Sequence, residues 1–174
     1  MSRDRRAAAA VAFAVLALGL GAAACGGGGQ SKEDKAAQVR AEHRWRSGLM
    51  GWSEDMGGAM NGISLLFSNP GSVDRLQRGN PRTMAQLARF ERILSRCGAT
   101  VIGLGPAPEA LGPARKAALR ACVSLERGAR EVRTGIEDWK NGLTGVGINR
   151  ASETLSTGQD GLARARVELK ASTT

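Results

Sequence analysis

The clearest pattern in this chain is an apolar residue every three or four positions, the spacing of one face of an α-helix. The first such face consists of Trp45, Leu49, Trp52, Met56, Ala59, Ile63 and Leu66. We expect this helix to begin upstream, between Lys32 and Val39, as a solvated stalk. The Ser-Asn-Pro-Gly sequence at 68–71 predicts its end, because a residue before proline disfavours helical conformation and glycine favours a turn.

A second helical segment spans residues 72–97. Its apolar face consists of Val73, Leu76, Leu87, Phe90, Leu94 and Cys97. Gly79, Asn80 and Pro81 interrupt the pattern, and Asn-Pro is a good cap and first residue for a new helix. We therefore predict a short helix followed by a longer one.

An apolar connector is predicted at residues 98–108. Gly98 is placed to end the second segment. We expect Val101, Ile102 and Leu104 to pack on the end of the helices, because they would otherwise form an exposed apolar patch.

The strongest helical pattern lies in the third and fourth segments, where apolar residues recur every seven positions. They are Leu111, Ala118, Leu125, Val132 and Trp139 in a helix that starts near Pro108, and Ile148, Leu155, Leu162 and Leu169 in the next. Small residues form parallel rows, namely Ala121, Gly128, Gly135 and Gly142, and Ala151, Gly158 and Ala165. Glycine inside a helix costs about 1 kcal/mol relative to alanine. The small rows therefore predict two antiparallel helices in close contact.

No segment of the sequence shows the two-residue alternation of a β-strand. Amphipathic helices joined by short connectors predict an all-α fold, an antiparallel four-helix bundle.

The N-terminal residues have the order of a secretory signal. Arg3, Arg5 and Arg6 precede an uncharged run at 7–24 that ends in alanines, and Cys25 and four glycines follow. A cysteine directly after small residues resembles the lipobox of bacterial lipoproteins, although Ala22 stands where that family usually has leucine.

The resemblance implies that Cys25 receives a diacylglycerol on its sulfur and becomes the mature N-terminus. It implies a signal peptide at 1–24, a lipidated flexible tether at 25–35 and a helical domain at 36–174. The domain would then lie on the extracytoplasmic face of the cell membrane. An uncleaved membrane anchor and an ordinary cleaved signal are the alternatives. The residues of the helical domain indicate no known family.

Cys97 and Cys122 remain for the exported domain. An even pair in an oxidising compartment predicts a disulfide, and two reduced, buried cysteines are the alternative. Closing this loop would stabilise the fold by about 3–4 kcal/mol in the chain-entropy model.

The chain is strongly basic, with 25 Lys and Arg against 16 Asp and Glu and a formal net charge of +9. Outside the cytoplasm such a surface attracts anionic lipid headgroups and envelope polyanions. Nucleic acid is not an expected partner in that compartment. The abundance of Gly, Ala and Arg favours a GC-rich genome, such as those of high-GC Gram-positive bacteria.

Six arginines concentrate in the second segment. Arg75, Arg82, Arg89 and Arg96 recur every seven residues, with Arg78 and Arg92 on the adjoining row. The segment carries two acidic residues, Asp74 and Glu91. Arginine binds phosphate bidentately, so this stripe is a candidate surface for headgroups or a phosphate-rich polymer. A solvated helix face is the alternative.

Catalytic and metal-binding patterns are weak. The single histidine, His43, sits in the polar run before Trp45, and no nucleophile has an adjacent candidate base in the sequence. The pairs Glu54-Asp55 and Glu137-Asp138 sit at adjacent helical positions that do not face each other. A copper site could be built from His43, Met50, Met56 and Met60, since thioethers and imidazole suit Cu(I), but Met56 lies on the core face, where methionine commonly fills gaps. We predict no enzyme activity, no cofactor and no metal site.

Trp45, Trp52 and Trp139 are large residues on faces rich in small ones. They predict either filled core positions or a small apolar pocket between helices. The sequence favours a non-catalytic envelope lipoprotein that presents a basic helical surface to a protein partner or an anionic envelope component. A small-ligand carrier with an apolar pocket in the core is the alternative.

Overall fold

A computed structural model describes residues 31–142 and 146–172, and these ranges contain helices and no strand. The α-helices are α1 (Lys32–Ser68), α2 (Pro70–Gln77), α3 (Pro81–Ser95), α4 (Cys97–Gly103), α5 (Gly112–Lys140) and α6 (Val146–Ala171), and a short 3-10 helix (Glu109–Leu111) precedes α5. The all-α prediction is confirmed. The signal peptide, Cys25 and residues 25–30 of the tether lie outside the described residues.

Helix α1 begins with a capping box. The Ser31 hydroxyl accepts a hydrogen bond from the Asp34 N–H at 3.1 Å, and the Asp34 carboxylate accepts from the Ser31 N–H at 3.2 Å. Residues 32–35, which the sequence assigned to the tether, are therefore helical. All seven apolar positions of the predicted face are buried, so that prediction is confirmed.

Two asparagines set the breaks between the next helices. The Asn69 and Asn80 side chains each accept a hydrogen bond from the N–H three residues on, at 3.1 and 3.2 Å, and proline follows each asparagine. Gly79 has a φ of +67°, a conformation that favours glycine. The predicted short helix followed by a longer one is confirmed.

The predicted apolar connector is wrong in its first half, because residues 97–103 form α4. Gly98 does not end a helix. Its N–H lies in the first turn of α4 and donates to Glu126 Oε1 at 2.8 Å, so the orphan donor at this helix start finds an acceptor on α5. Val101 is buried as expected, whereas Ile102 is 60% exposed and does not pack on the helices.

Helices α5 and α6 are in close contact through the predicted glycines. A methyl group added at Gly128 would lie 2.6 Å from Leu155 Cδ2, and one added at Gly158 would lie 2.5 Å from Leu125 Cδ2. These pairs follow opposite orders along the two helices, so the helices run antiparallel. The predicted close pair is confirmed. Gly142 has another role, because it follows the end of α5 with a φ of +76°.

Helix α6 also packs on α1, and these two helices run antiparallel as well. Near the start of α1, Arg46 donates to the carbonyl oxygens of Leu169 and Ser172 at 2.9 and 2.6 Å. Further along α1, Ser53 receives two hydrogen bonds from Arg166, both at 3.1 Å. The described core lies entirely between Trp45 and Leu169, within the compact unit that begins at Ser31.

Cys97 and Cys122 form the predicted disulfide, with a Cα–Cα distance of 5.2 Å. Both residues are buried. The bond joins the first residue of α4 to the middle of α5 and fixes the end of α3 beside that helix.

Candidate anion-binding surface

Four of the six predicted arginines form one exposed group, which we call the arginine surface: Arg82, Arg89, Arg92 and Arg96. The first three lie on α3, and Arg96 follows its last residue. At about 100° of rotation per residue, Arg82, Arg89 and Arg92 fall on one side of α3. The structure therefore brings these cations together on an outward face.

The arginine surface has no acidic partner among the described residues, where the ion pairs involve other arginines. Arg75 of α2 and Arg78, which follows the last residue of α2, differ. Arg75 donates to the Ser72 hydroxyl at 3.0 Å, and Arg78 forms an ion pair with Asp74. The break at Gly79 and Asn80 therefore separates these two engaged arginines from the four whose charges face solvent.

Glu91, the single acidic residue of α3, does not neutralise the arginine surface. Its side chain is buried and accepts two hydrogen bonds from Arg133 of α5, at 3.2 Å from Nε and 2.9 Å from Nη2. The Arg133 side chain is 66% exposed, so the pair reaches from the core to the surface. The carboxylate thus fixes α3 on α5 and leaves the outward face positive.

Burial raises the pKa of the Glu91 carboxyl above its ordinary value, because the charged form loses water. The hydrogen bonds and charge of Arg133 act in the opposite direction but do not reverse the shift, and the nearby Glu137 raises the pKa further. The same contact raises the pKa of the Arg133 guanidinium. Sequence analysis missed this pair, because no local pattern connects residues 42 positions apart.

The three tryptophans have different surroundings. Trp45 and Trp52 are buried in the core. The Trp45 indole N–H donates to the Gly105 carbonyl at 3.4 Å, and the Trp52 N–H is buried without a partner among the described residues. Trp139 is partly buried, and its ring centre lies 6.0 Å from that of Phe67. The structure does not bring the three indoles together around one of the clefts described below, and the predicted pocket between them stays a prediction.

A groove of about 500 Å³ lies between α1 and α6, and we call it the uncharged groove. Its apolar lining includes Met60, Ile63, Phe67 and Leu155, and serine, asparagine and glutamine side chains line the remainder. None of the described residues that line it carries a charge. Through Phe67 the groove adjoins Trp139.

The residues weighed for copper lie along α1. His43 and Met50 are exposed, Met60 is partly buried, and Met56 is buried in the core, as expected of a methionine that fills a gap. Across residues 31–142 and 146–172, no three His, Cys, Asp or Glu side chains are grouped in a way that would hold a metal ion.

Within the same ranges, no helix has both the length and the apolar character needed to cross a membrane. Comparisons with protein-family models, curated proteins and solved structures give no match to this chain.

Proposed function

We propose that this chain is a non-catalytic lipoprotein of the bacterial cell envelope, held on the extracytoplasmic face of the membrane by a lipid on Cys25. In this proposal the arginine surface binds an anionic envelope component, either headgroups of the membrane or a phosphate-rich polymer. Without residues 1–24 the chain has 22 Lys and Arg against 15 Asp and Glu, and this net charge of +7 favours the same class of partner.

The observation that carries the proposal is the absence of acidic partners around the arginine surface in the described part of the chain. On a helix, acids three or four residues away can form stabilising ion pairs with such cations. Here Asp74 pairs with Arg78, and Glu91 is buried against Arg133. Four guanidinium groups therefore present their donor forks to solvent, in the form that binds phosphate oxygens bidentately.

We also propose that the helices form an antiparallel four-helix bundle, in which α2, α3 and α4 together make one of four rods. The contacts of α6 with α1 and of α5 with α6 support this arrangement. The Glu91–Arg133 and Cys97–Cys122 contacts support opposite directions for the α3–α4 rod and α5.

Vesicle sedimentation tests the arginine surface. The chain from Ser31 onward, which lacks the anchor, should bind vesicles that contain anionic lipid and not neutral phosphatidylcholine vesicles. Each arginine near an anionic surface contributes about 1 kcal/mol, so the triple variant Arg82→Ala, Arg89→Ala, Arg92→Ala should bind roughly 100-fold more weakly at low salt.

A matched triple variant removes three exposed arginines elsewhere, Arg40, Arg44 and Arg130, none of which forms a described ion pair. If binding depended on net charge alone, both triple variants would lose the same affinity, and the proposed surface would be refuted. Mass spectrometry of the mature N-terminus tests the anchor separately, since an unmodified Cys25 or an intact Met1 contradicts lipidation.

A small-ligand carrier is the second candidate function, and the uncharged groove favours it. Its volume of about 500 Å³ lies within the range of ligand pockets, and apolar and hydroxyl side chains line it together. Ser152→Trp would fill part of this groove from α6. If the chain is a carrier, a small molecule extracted from the purified wild-type protein should be missing from the purified variant. Equal amounts of bound small molecules in the two proteins would oppose this function.

A further inference from the structure

A second cleft, which we call the basic cleft, lies between the loop before α5 and the first three turns of that helix. Its volume is about 750 Å³. Its lining consists of Pro106 and Ala107 from the loop and of Gly112, Arg115, Lys116, Leu119, Arg120 and Val123 from α5. The α5 positions follow the spacing of one helix face, and Arg115 lies at the edge of this face, beside the buried Ala118 and Cys122.

The chemistry of the basic cleft is both cationic and apolar. Arg115, Lys116 and Arg120 supply three positive charges, and no acidic side chain is among its described lining. None of these three cations forms an ion pair with a described residue. Leu119 and Val123 lie beside them, and Val123 is 69% exposed, which is high for a large apolar side chain.

Arg115 is partly buried in the wall of the basic cleft. Its Nε–H is buried and has no acceptor among the described residues. Buried donors without a partner are rare, because the group has given up its hydrogen bonds to water. Arginine also holds a carboxylate or phosphate end-on through its two Nη groups, and we expect an anion in the basic cleft to bind Arg115 there.

We propose that the basic cleft binds a soluble anionic amphiphile, a single alkyl chain with a carboxylate or phosphate head. The head contacts Arg115, Lys116 and Arg120, and the first part of the chain lies against Leu119, Val123 and Ala107. The basic cleft differs from the proposed arginine surface in requiring both parts of the ligand.

Calorimetry with dodecyl phosphate, kept below its micelle concentration, tests the proposal. The sample is the chain from Ser31 onward, which contains the whole described core, and the full chain serves as a second sample. Inorganic phosphate supplies the head alone, and dodecyl maltoside supplies the chain with a neutral head. We expect dodecyl phosphate to bind at least about tenfold more tightly than either, because charge-assisted hydrogen bonds and apolar burial both contribute.

Variants locate the site. Arg115→Gln and Arg120→Gln should each weaken dodecyl phosphate binding about tenfold, and Val123→Asp should weaken it further by placing a negative charge in the basic cleft. Arg115→Lys keeps the charge but removes the parallel donors, so it should bind less tightly than wild type. Arg130→Gln is the matched control, because Arg130 is exposed on the same helix and is not part of the lining.

Several results would overturn the proposal. One is equal affinity for dodecyl phosphate and inorganic phosphate, which would indicate an anion site without a chain site. Another is equal loss in Arg115→Gln and Arg130→Gln, which would indicate a dependence on net charge. The proposal would also be refuted if the protein bound phosphate headgroups in vesicles but did not bind dissolved dodecyl phosphate. Retained binding in the triple variant of the arginine surface is expected, since the two sites use different residues.

Discussion

Glu91 of α3 is buried and accepts two hydrogen bonds from Arg133 of α5, at 3.2 and 2.9 Å. This contact connects the stability of the fold to the charge of its surface. It removes the one acidic residue of α3 from solvent and turns the remaining charges of that helix outward. The arginine surface depends on this orientation, because a Glu91 that faced solvent would pair with the arginines around it.

Arg133→Ala should destabilise the protein by about 1–3 kcal/mol, the cost of leaving a buried hydrogen-bonding group without its partner. Urea unfolding followed by circular dichroism measures this difference. Arg89→Ala removes an arginine two positions from Glu91 that has no described partner, so its effect should stay within about 0.5 kcal/mol. Equal effects in the two variants would show that the Glu91–Arg133 pair contributes nothing specific.

The pH dependence of stability should report Glu91. Burial raises its pKa in the folded protein above the ordinary value of 4.5, so the folded state holds this proton more tightly than the unfolded state. The stability that this tighter proton binding adds is fully present below the pKa of Glu91 in the unfolded state. It is lost as the pH rises through the pKa of Glu91 in the folded state.

Glu91→Gln removes this titration while keeping the shape of the side chain. The free energy of unfolding of the variant minus that of wild type should therefore increase as the pH is raised from below to above the ordinary pKa of 4.5. Chemical denaturation across this range provides the measurement. Parallel pH profiles for the two proteins would contradict a raised pKa at Glu91.

Loss of the disulfide should lower the free energy of unfolding by about 3–4 kcal/mol, since the bond closes a loop between residues 25 positions apart. The double variant Cys97→Ser, Cys122→Ser is compared with wild type in guanidinium chloride. Adding reductant should lower the stability of wild type to that of the variant and leave the variant unchanged. A wild-type protein that is insensitive to reductant would argue against a stabilising bond.

Close contact between α5 and α6 makes Gly161 sensitive to substitution. A methyl group there would lie 2.8 Å from Ala121 Cβ and 2.9 Å from Ala121 Cα, so the backbone of α5 would have to move. We expect Gly161→Ala to destabilise by about 1–3 kcal/mol in thermal or chemical unfolding.

Gly58→Ala is the matched control for that substitution. Gly58 also lies inside a helix, but a methyl group there would meet nothing within 4 Å. Alanine is the better helix former, so this change should stabilise the protein by about 1 kcal/mol. If both alanines stabilised the protein, the close approach of α5 and α6 at Gly161 would be disproved.

The arginine stripe shows what a sequence pattern conveys and where it stops. Sevenfold spacing predicted that Arg82, Arg89 and Arg96 share a direction, and all three are exposed. Spacing alone could not separate Arg75 and Arg78, which bind Ser72 and Asp74, from the arginines without partners. That distinction depends on the rotation of each helix and on the neighbouring side chains.

By itself, the sequence determined the helical class, the buried face of α1, the cap at Asn80 and the rows of small residues in α5 and α6, because these features depend on residues within a few turns. Only the tertiary structure decided the helical state of residues 97–103, the burial of Glu91 and the assembly of the basic cleft. Each of these depends on contacts between distant segments: Gly98 with Glu126, Glu91 with Arg133, and the loop at 106–107 with α5. Helical periodicity shows which side of a helix is apolar. Which other helix covers that side depends on how all the helices pack together.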